Sequence, residues 1–323
     1  MRDEVVALLI GNMGRFISGQ AMSEQLGISR TAVWKHISKL KQEGCDIVSV
    51  NNRGHMLKSM PDSLHPGFFR VVFDKPREMF YYKELDSTNT RAKQLAADGC
   101  PDGTLVVADR QTGGRGRLGR GFFSPTGGIW MSLVLRPHLA PGDAQKITLM
   151  AAVAVVQAIS VFTSARPQIK WPNDILIGEK KLCGILTEMV ADMDALNYVV
   201  VGIGLNANIE EEDMPETLRP HMTSLLIESG CPVSRLQLTS AIVTRLEDIL
   251  NAYLEKGDFE QVRREYEKYS LQGSVRITGI GFEESGQIAG IDENGELLLE
   301  LDNGEVRRFL NGEVSLRRME QHV

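Results

Sequence analysis

The sequence predicts an α+β protein in three parts, and three observations predict it. Short helical patterns separated by glycines fill the first sixty residues. Across the middle of the chain, helical patterns alternate with continuous apolar runs such as 198–201, as expected of a buried mixed sheet. Near the end, Asn-Gly pairs at 294–295 and 303–304 separate short strands. We therefore place the parts at 1–62, 63–270 and 271–323.

Composition is ordinary for a soluble globular protein of several domains. Of the 323 residues, 42% are hydrophobic and 24% are charged. The longest apolar run, around 150–161, is short for a membrane span, and the N-terminus lacks the pattern of a signal peptide. Four scattered cysteines without a C-x-x-C pair favour reduced thiols over disulfides or a zinc site. We therefore expect a cytoplasmic protein.

Charge is distributed unevenly along the chain. The net charge is −6, yet residues 1–60 carry eight Lys/Arg against five Asp/Glu. A basic segment on an acidic protein indicates a separate function, such as binding a polyanion.

The first part reads as three helices. The first runs from Val5 to Gly11, Ser18 caps a second over 20–26, and Ser29 caps a third over 30–43. Helix, glycine-containing turn and helix is the pattern of a helix-turn-helix. In the third helix three apolar residues at i, i+4 and i+7 form the predicted buried stripe, namely Val33, Ile37 and Leu40.

A predicted hairpin follows where a winged helix carries its wing. Strands at 47–50 and 55–57 flank the turn 51–54, with Arg53 at its tip. Trp34 is expected to pack at the edge of the buried stripe, and His36 to lie on the surface. A winged fold can also be a protein-interaction module, and that alternative stays open. The candidate DNA-binding residues are Gly19, Arg30, Thr31, Lys35, Ser38, Lys39 and Arg53.

In the central part, small polar residues stand between a predicted strand and a helix over 90–97. Ser87, Thr88 and Asn89 offer hydroxyl and amide groups beside the free N–H donors of a helix N-terminus. A helix cap alone needs one such residue, so three together indicate a binding role.

A glycine- and arginine-rich loop, 113–120, lies between strands at 103–108 and 127–135. Glycine allows close approach of the backbone, and each guanidinium presents a fork of donors to a phosphate or carboxylate. The loop spells G-x-G-x-x-G, but the turn-forming residues 122–128 follow it where a dinucleotide fingerprint needs a helix. We interpret it as an anion-binding loop, with a flexible basic surface loop as the alternative.

Further candidates follow a buried helix at about 143–162. A strand over 169–177 is interrupted at Pro172, and the polar residues Asn173 and Asp174 flank it. Lys181 lies among apolar neighbours, where it needs a partner anion unless it extends out to solvent. The next strand, 198–206, ends in glycines, and the acidic segment 209–223 is predicted to be a mobile flap.

Two amphipathic helices, 232–257 and 259–270, precede the C-terminal strands. Strands are predicted at 275–277, 286–291, 296–301 and 306–309, which suggests a small SH3-like barrel.

Six motifs together resemble the biotin–protein ligase family, in order over nearly the whole chain. With the N-terminal helix-turn-helix, the chain is similar to the bifunctional form, which is both ligase and biotin operon repressor. One departure is Cys183, which stands where a small residue such as alanine is common. The motifs are Asp86-Ser87-Thr88-Asn89, Gln111 with Gly114–Arg117, Lys170–Asp174, Lys181–Leu186, Gly202–Asn206 and Gly312–Arg317.

The resemblance implies a central domain of class II synthetase-like type and a reaction in two steps. The biotin carboxylate attacks the α-phosphate of ATP to give biotinyl-5′-AMP and pyrophosphate, with Mg²⁺ expected on the phosphates. An acceptor lysine, on a biotin carboxyl carrier protein or carboxylase domain, then attacks the acyl carbon. The resemblance also implies operator DNA as a partner and a homodimer when the adenylate is bound.

The same resemblance implies the site residues. Ser87, Thr88, Asn89 and Gln111 bind biotin, and Asn173 and Asn206 bind the nucleotide side. Asp174 orients the incoming amine or helps to hold metal, and the metal ligands stay unassigned. The anionic groups are held by Arg115, Gly116, Arg117 and Lys181, of which Arg115 and Lys181 are catalytic together with Asp174.

Two alternatives remain at the level of sequence. A lipoate-type ligase of related fold would present the 87–89 triplet to a different ring. A transcription factor that binds an effector without catalysis would leave Lys181, Asp174 and the two arginines without a joint purpose.

Overall fold

The computed structural model describes residues 1–60, 62, 64, 68–69, 72–73, 75–193, 195–279, 281–310 and 312–316. Backbone contacts divide the chain into two compact units. The first comprises Met1–Arg77 with Ser234–Ser240, and the second comprises Glu78–Val233 with Ala241–Val323. Pro61 and Pro66, which the sequence predicts to mark a linker after the first part, lie outside the described residues, as does Arg317 of the last motif.

The first unit is a winged helix-turn-helix, as predicted. Ser18 and Ser29 cap the second and third helices, because their hydroxyls accept from Ala21 N at 3.0 Å and Ala32 N at 3.1 Å. The two strands pair antiparallel as the wing. The elements are α1 (Arg2–Gly11), α2 (Gly19–Leu26), α3 (Arg30–Gln42), β1 (Asp46–Val50) and β2 (Gly54–Ser59).

The core of this unit confirms the predicted stripe, since Val33, Ile37 and Leu40 are all at most 2% exposed. The expectation for Trp34 is wrong: its side chain is 65% exposed. Each helical residue turns about 100°, so Trp34 points about 100° away from Val33. It therefore shares the outward face of α3 with Arg30 and Thr31.

The second unit contains a seven-stranded mixed sheet in the order β3-β4-β5-β9-β8-β7-β6. Its strands are β3 (Met79–Tyr82), β4 (Leu105–Ala108), β5 (Ile129–Leu135), β6 (Gln168–Lys170), β7 (Asp174–Ile177), β8 (Lys180–Ala191) and β9 (Leu196–Leu205). Only β3 and β4 are parallel among the paired strands described. Helix α4 (Thr88–Ala97) packs its Ala92, Leu95 and Ala96 on Val106, Val134 and Val200 of this sheet. The mixed sheet of the prediction is confirmed.

The stretch 169–177 differs from the prediction of one interrupted strand. It folds back as a hairpin in which Lys170 of β6 lies opposite Asp174 of β7, with a cis peptide bond between Trp171 and Pro172 at the turn. Trp171 is buried, and its Nε1 donates to the Gly295 carbonyl at 3.1 Å. The turn therefore places Asn173 and Asp174 at one end of the sheet.

Helix α5 (Ala144–Phe162) is the core helix of this unit. With the preceding turn it spans Pro141–Phe162. Its length and composition would allow it to cross a membrane, whereas the apolar run was expected from the sequence to be too short. However, 61% of its most apolar window is buried, and Thr148 Oγ1 donates to Thr187 Oγ1 of β8 at 2.8 Å. Burial against the sheet accounts for its apolar composition.

The segment 209–223 contains no helix or strand, as expected, but it is anchored. Ile209, Met214 and Met222 are buried around Trp130. Its predicted mobility stays a prediction. Three helices follow: α6 (Leu225–Ser229), α7 (Arg235–Lys256) and α8 (Glu260–Tyr269).

The C-terminal part is a five-stranded antiparallel sheet in the order β13-β12-β11-β10-β14. Its strands are β10 (Ser274–Gly279), β11 (Phe282–Ile291), β12 (Leu297–Leu301), β13 (Val306–Phe309) and β14 (Glu313–Leu316). The four predicted strands are confirmed, and β14 is an addition. This sheet belongs to the same compact unit as the seven-stranded one, so a separate third domain stays a proposal.

Candidate active site and nucleic-acid interface

Nine of the eleven predicted active-site residues meet in one pocket of the second unit. The pocket is open to solvent, and its lining residues surround about 460 Å³ of empty space. Strands β8 and β9 contribute Gly184, Ile185, Gly202 and Gly204 to its lining. The predicted residues among its lining are Ser87, Thr88, Asn89, Gln111, Arg115, Gly116, Arg117, Asn173 and Lys181.

The start of α4 forms a polar wall of the pocket. Ser87 caps the helix, so the helix begins at Thr88, two residues before the predicted start. Gln111 Oε1 accepts from Thr88 N at 2.8 Å and from Thr88 Oγ1 at 3.1 Å, while its Nε2 donates to Ser124 Oγ at 2.9 Å. These bonds tie Thr88 to Gln111, which follows the end of β4 by three residues, and through Gln111 to Ser124.

Asn89 is fixed on every side by the protein. Its Oδ1 accepts from Ser132 Oγ at 2.6 Å, and its Nδ2 donates to the Leu186 carbonyl at 3.2 Å and to Glu188 Oε2 at 2.8 Å. Gly202 passes directly beneath, because a Cβ there would lie 2.0 Å from Asn89 Oδ1. Asn89 therefore shapes the wall of the pocket with all of its amide groups engaged.

Two residues of this network were missed from the sequence. Ser132 is fully buried. The sequence could have indicated it, because it is the one polar residue in the apolar strand 129–135. Burial acts to raise the pKa of Glu188, but hydrogen bonds from Lys93 and Asn89, aided by the charges of Lys93 and Arg115, hold that pKa below its usual range. Glu188 is thus an anion beside the pocket, and Lys93 Nζ lies 2.6 Å from it.

The glycine- and arginine-rich loop closes on itself. Gly116 N donates to the Arg120 carbonyl at 2.8 Å, and Phe122 N donates to the Gly114 carbonyl at 2.8 Å. The helical turn in this loop is a 3₁₀ turn at Arg117–Gly119, and no helix follows it before β5. This confirms the prediction that the loop does not begin a dinucleotide-binding helix. Arg117 reaches Asn173 Oδ1 at 3.3 Å.

Lys181 has the anionic partner that the sequence required. Its Nζ forms an ion pair with Asp174 Oδ1 at 2.6 Å and stands over the Phe122 ring, 5.4 Å from the ring centroid. The alternative that Lys181 extends to solvent without a partner is therefore wrong. Phe122 was missed from the sequence. A Cβ at Gly184 or Gly204 would lie 2.8 or 2.6 Å from its ring, so both glycines leave room for it.

The chemistry of the pocket follows from these positions. Three cationic side chains, Arg115, Arg117 and Lys181, line a cavity whose other wall is neutral and polar. Such an arrangement suits a ligand that carries carboxylate or phosphate groups at one end. Among the described residues, no cluster of three or more His, Cys, Asp or Glu could hold a metal ion.

Asp174 does not line the pocket but pairs with Lys181, which does. Asn206 is the other predicted active-site residue that does not line it. It is buried outside the pocket lining, and its Nδ2 donates to the Thr223 carbonyl at 2.9 Å and the Lys181 carbonyl at 3.4 Å. It therefore connects the segment after residue 221 to the start of β8, and its predicted contact with the nucleotide stays a proposal.

The first unit carries a second concave surface, between α3 and the wing. The cleft has an empty volume of about 1390 Å³, and Gly19, Arg30 and Thr31 line it as predicted. Lys35 and Lys39 are exposed and Ser38 is half-buried, all three outside the lining. Arg53 is exposed on the wing and stacks on Phe16, with its guanidinium carbon 4.2 Å from the ring centroid. The cleft also contains Trp34.

Comparison with protein-family models finds three matches. The Biotin/lipoate A/B protein ligase family matches residues 81–206, which contain the pocket loop and the triplet. An HTH domain matches residues 2–56, and the Biotin protein ligase C terminal domain matches residues 274–317. The three matches follow the order of the three parts read from the sequence.

Relatives match over the full length. The chain is 38% identical over 322 residues to the Bifunctional ligase/repressor BirA of Bacillus subtilis, covering 98% of both chains. It is 29% identical to the protein of the same name from Escherichia coli, covering 99% of this chain and all of that one. Among solved structures it is similar to the biotin protein ligase of Aquifex aeolicus in complex with biotin and ATP, with 31% identity and a TM-score of 0.65. That match covers 75% of this chain and 99% of the other.

Proposed function

This chain belongs to the bifunctional biotin–protein ligase/repressor family, and on that premise we propose how its own residues carry out the reaction. The protein is an ATP-dependent biotin–protein ligase that also carries a DNA-binding domain. One observation carries the proposal: the pocket combines a neutral polar wall at 87–89 and Gln111 with the three cations Arg115, Arg117 and Lys181.

In the first step an anion must approach a polyanion. The biotin carboxylate attacks the α-phosphate of ATP, the bond between the α- and β-phosphates breaks, and pyrophosphate leaves. Arg115 and Lys181 reduce the repulsion and stabilise the negative charge that develops, which is the kind of electrostatic term that contributes most to many enzymes. The polar wall binds the uncharged ring of biotin and fixes its carboxylate near the phosphate.

In the second step the amine of an acceptor lysine attacks the acyl carbon of biotinyl-5′-AMP, and AMP leaves. Asp174 Oδ1 lies 2.6 Å from Lys181 Nζ. We assign Asp174 the role of orienting this lysine and the incoming amine. No side-chain nucleophile is required, because the adenylate is itself activated. The acceptor is a biotin carboxyl carrier protein or carboxylase domain.

Magnesium enters with ATP in this proposal. Mg²⁺ is commonly bound through one or two carboxylates together with substrate phosphates, and the described residues offer no larger cluster of ligands. Asp174 would be the carboxylate that helps to hold the ion, and the ion would neutralise part of the phosphate charge.

The winged helix-turn-helix binds operator DNA in response to biotin, in the cytoplasm. The basic balance of residues 1–60 supports a polyanionic partner. We place the adenylate-loaded protein on DNA as a homodimer, since two-fold symmetric operators match two-fold symmetric proteins.

Biotin-dependent formation of a labelled adenylate from ATP, together with release of pyrophosphate, tests the ligase. Wild-type protein is expected to retain adenylate with biotin and to form none with lipoate. Arg115→Ala is expected to lose retention of the adenylate, because its cation lines the pocket. Arg110→Ala is the matched control, since the Arg110 side chain forms an exposed ion pair with Glu84 and neither residue lines the pocket. Equal retention by wild type and Arg115→Ala would overturn the assigned role.

A further inference from the structure

Trp34 is the exposed tryptophan of this chain. The sequence has three tryptophans: Trp130 and Trp171 are at most 2% exposed, whereas Trp34 is 65% exposed. A large ring left in water on a helix of a small domain forgoes the stabilisation that its burial would give. Tryptophan is enriched on the surfaces through which proteins contact other molecules.

The surroundings of Trp34 indicate which molecule that is. It lines the cleft between α3 and the wing, one helical turn after Arg30 and Thr31. None of the twelve residues lining the cleft carries a carboxylate. At the rim, Lys41 Nζ donates to Ser49 Oγ at 3.0 Å. A cleft with cationic and neutral polar groups complements a polyanion.

The position of Trp34 along the helix supplies a second argument. It is the fifth residue of α3, in the N-terminal half of the helix, and in helix-turn-helix proteins that half contacts base edges in the major groove. Of the four bases only thymine presents a methyl group there, and apolar side chains contact it.

We propose that the ring of Trp34 contacts the methyl edge of a thymine in each operator half-site and so determines part of the operator sequence. This inference rests on the proposed DNA-binding function and deepens it. Arg30, one turn earlier on the same face, contacts the neighbouring phosphate or guanine, and the wing closes the other side of the cleft.

The full-length protein reports on this contact by its own fluorescence, because its other two tryptophans are buried. The probe is a duplex enriched from a random-sequence pool by wild-type protein in the presence of biotin and ATP. We expect the duplex to change the Trp34 emission and to protect it from acrylamide quenching. Trp34→Phe supplies the background of Trp130 and Trp171. Full accessibility of Trp34 to acrylamide in the bound state would overturn the proposal.

Replacing single thymines of the duplex by deoxyuridine removes the methyl group and keeps the base pairing. We expect one position in each half-site at which this change weakens wild-type binding about fourfold, as for loss of one buried carbon at ~0.8 kcal/mol. Trp34→Ala should bind at least about tenfold more weakly and be insensitive at that position, which is the coupling that a double-mutant cycle measures. Equal sensitivity of both proteins at every thymine would refute the contact.

Controls separate this inference from the function on which it rests. Lys35→Ala should lower the affinity for DNA and the salt dependence of that affinity. Both effects should be equal for the thymine and deoxyuridine duplexes, as expected when a phosphate contact is lost. Biotin ligation should be unchanged in both variants. If wild-type protein enriches no duplex, the DNA-binding function itself fails. If it enriches one that Trp34→Ala binds equally well, only the role of Trp34 fails.

Discussion

Gly202→Ala tests whether the polar wall of the pocket is held as tightly as the structure indicates. A Cβ at Gly202 would lie 2.0 Å from Asn89 Oδ1, whereas ordinary van der Waals contact begins at 3.4 Å. Asn89 would therefore have to retreat by 1.4 Å. It is buried, and its bonds to Ser132 at 2.6 Å and to Glu188 at 2.8 Å cannot stretch that far.

Losing one neutral bond and one bond to a carboxylate lowers the free energy of unfolding by about 2–4 kcal/mol. Displacement of Asn89 also deforms the wall, so biotin affinity should fall at least about tenfold, equivalent to ~1.4 kcal/mol. ATP binding should change less. Chemical denaturation and calorimetric titration with biotin measure both effects.

Gly121→Ala is the matched control, because a Cβ at Gly121 would meet nothing within 4 Å. It should leave stability and biotin affinity close to wild type. If Gly202→Ala also behaves as wild type, the Asn89 side chain is not fixed and the reasoning about the wall is wrong.

Two further predictions concern charged groups of the site. Lys181→Met should lower the rate of adenylate formation about 10²-fold or more, as for loss of a group that stabilises developing charge. Asp174→Asn keeps the cation and should lower that rate less. Equal losses of rate in single-turnover assays would show that Asp174 acts directly. The lowered pKa of Glu188 means that its contribution to stability is present above the unfolded-state pKa and is lost as pH falls through the folded-state pKa. Glu188→Gln should therefore unfold at a lower temperature than wild type at neutral pH, with the gap closing below about pH 4; a gap that is constant with pH would contradict the ion pair with Lys93.

Local patterns in the sequence were sufficient to predict the helices and strands and most of the residues that line the pocket. Ser18 and Ser29 cap the helices that their side chains predict, because a cap needs only the three residues that follow it. Turn residues and apolar periods predicted the wing, the buried strands and the C-terminal sheet for the same reason. The helical period also predicts that Trp34 is exposed, because it points about 100° away from the buried Val33.

The tertiary structure decided which side chains meet. Ser132 and Glu188 contact Asn89 across 43 and 99 residues of sequence, and the Trp171–Pro172 turn folds a supposed single strand into a hairpin that orients Asp174. The pairing of Lys181 with Asp174 depends on the register of β7 against β8, and Phe122 lies over that lysine because two glycines leave it room. Contacts of this kind depend on how strands and loops distant in sequence pack together, whereas caps, turns and periodicity are set by neighbours along the chain.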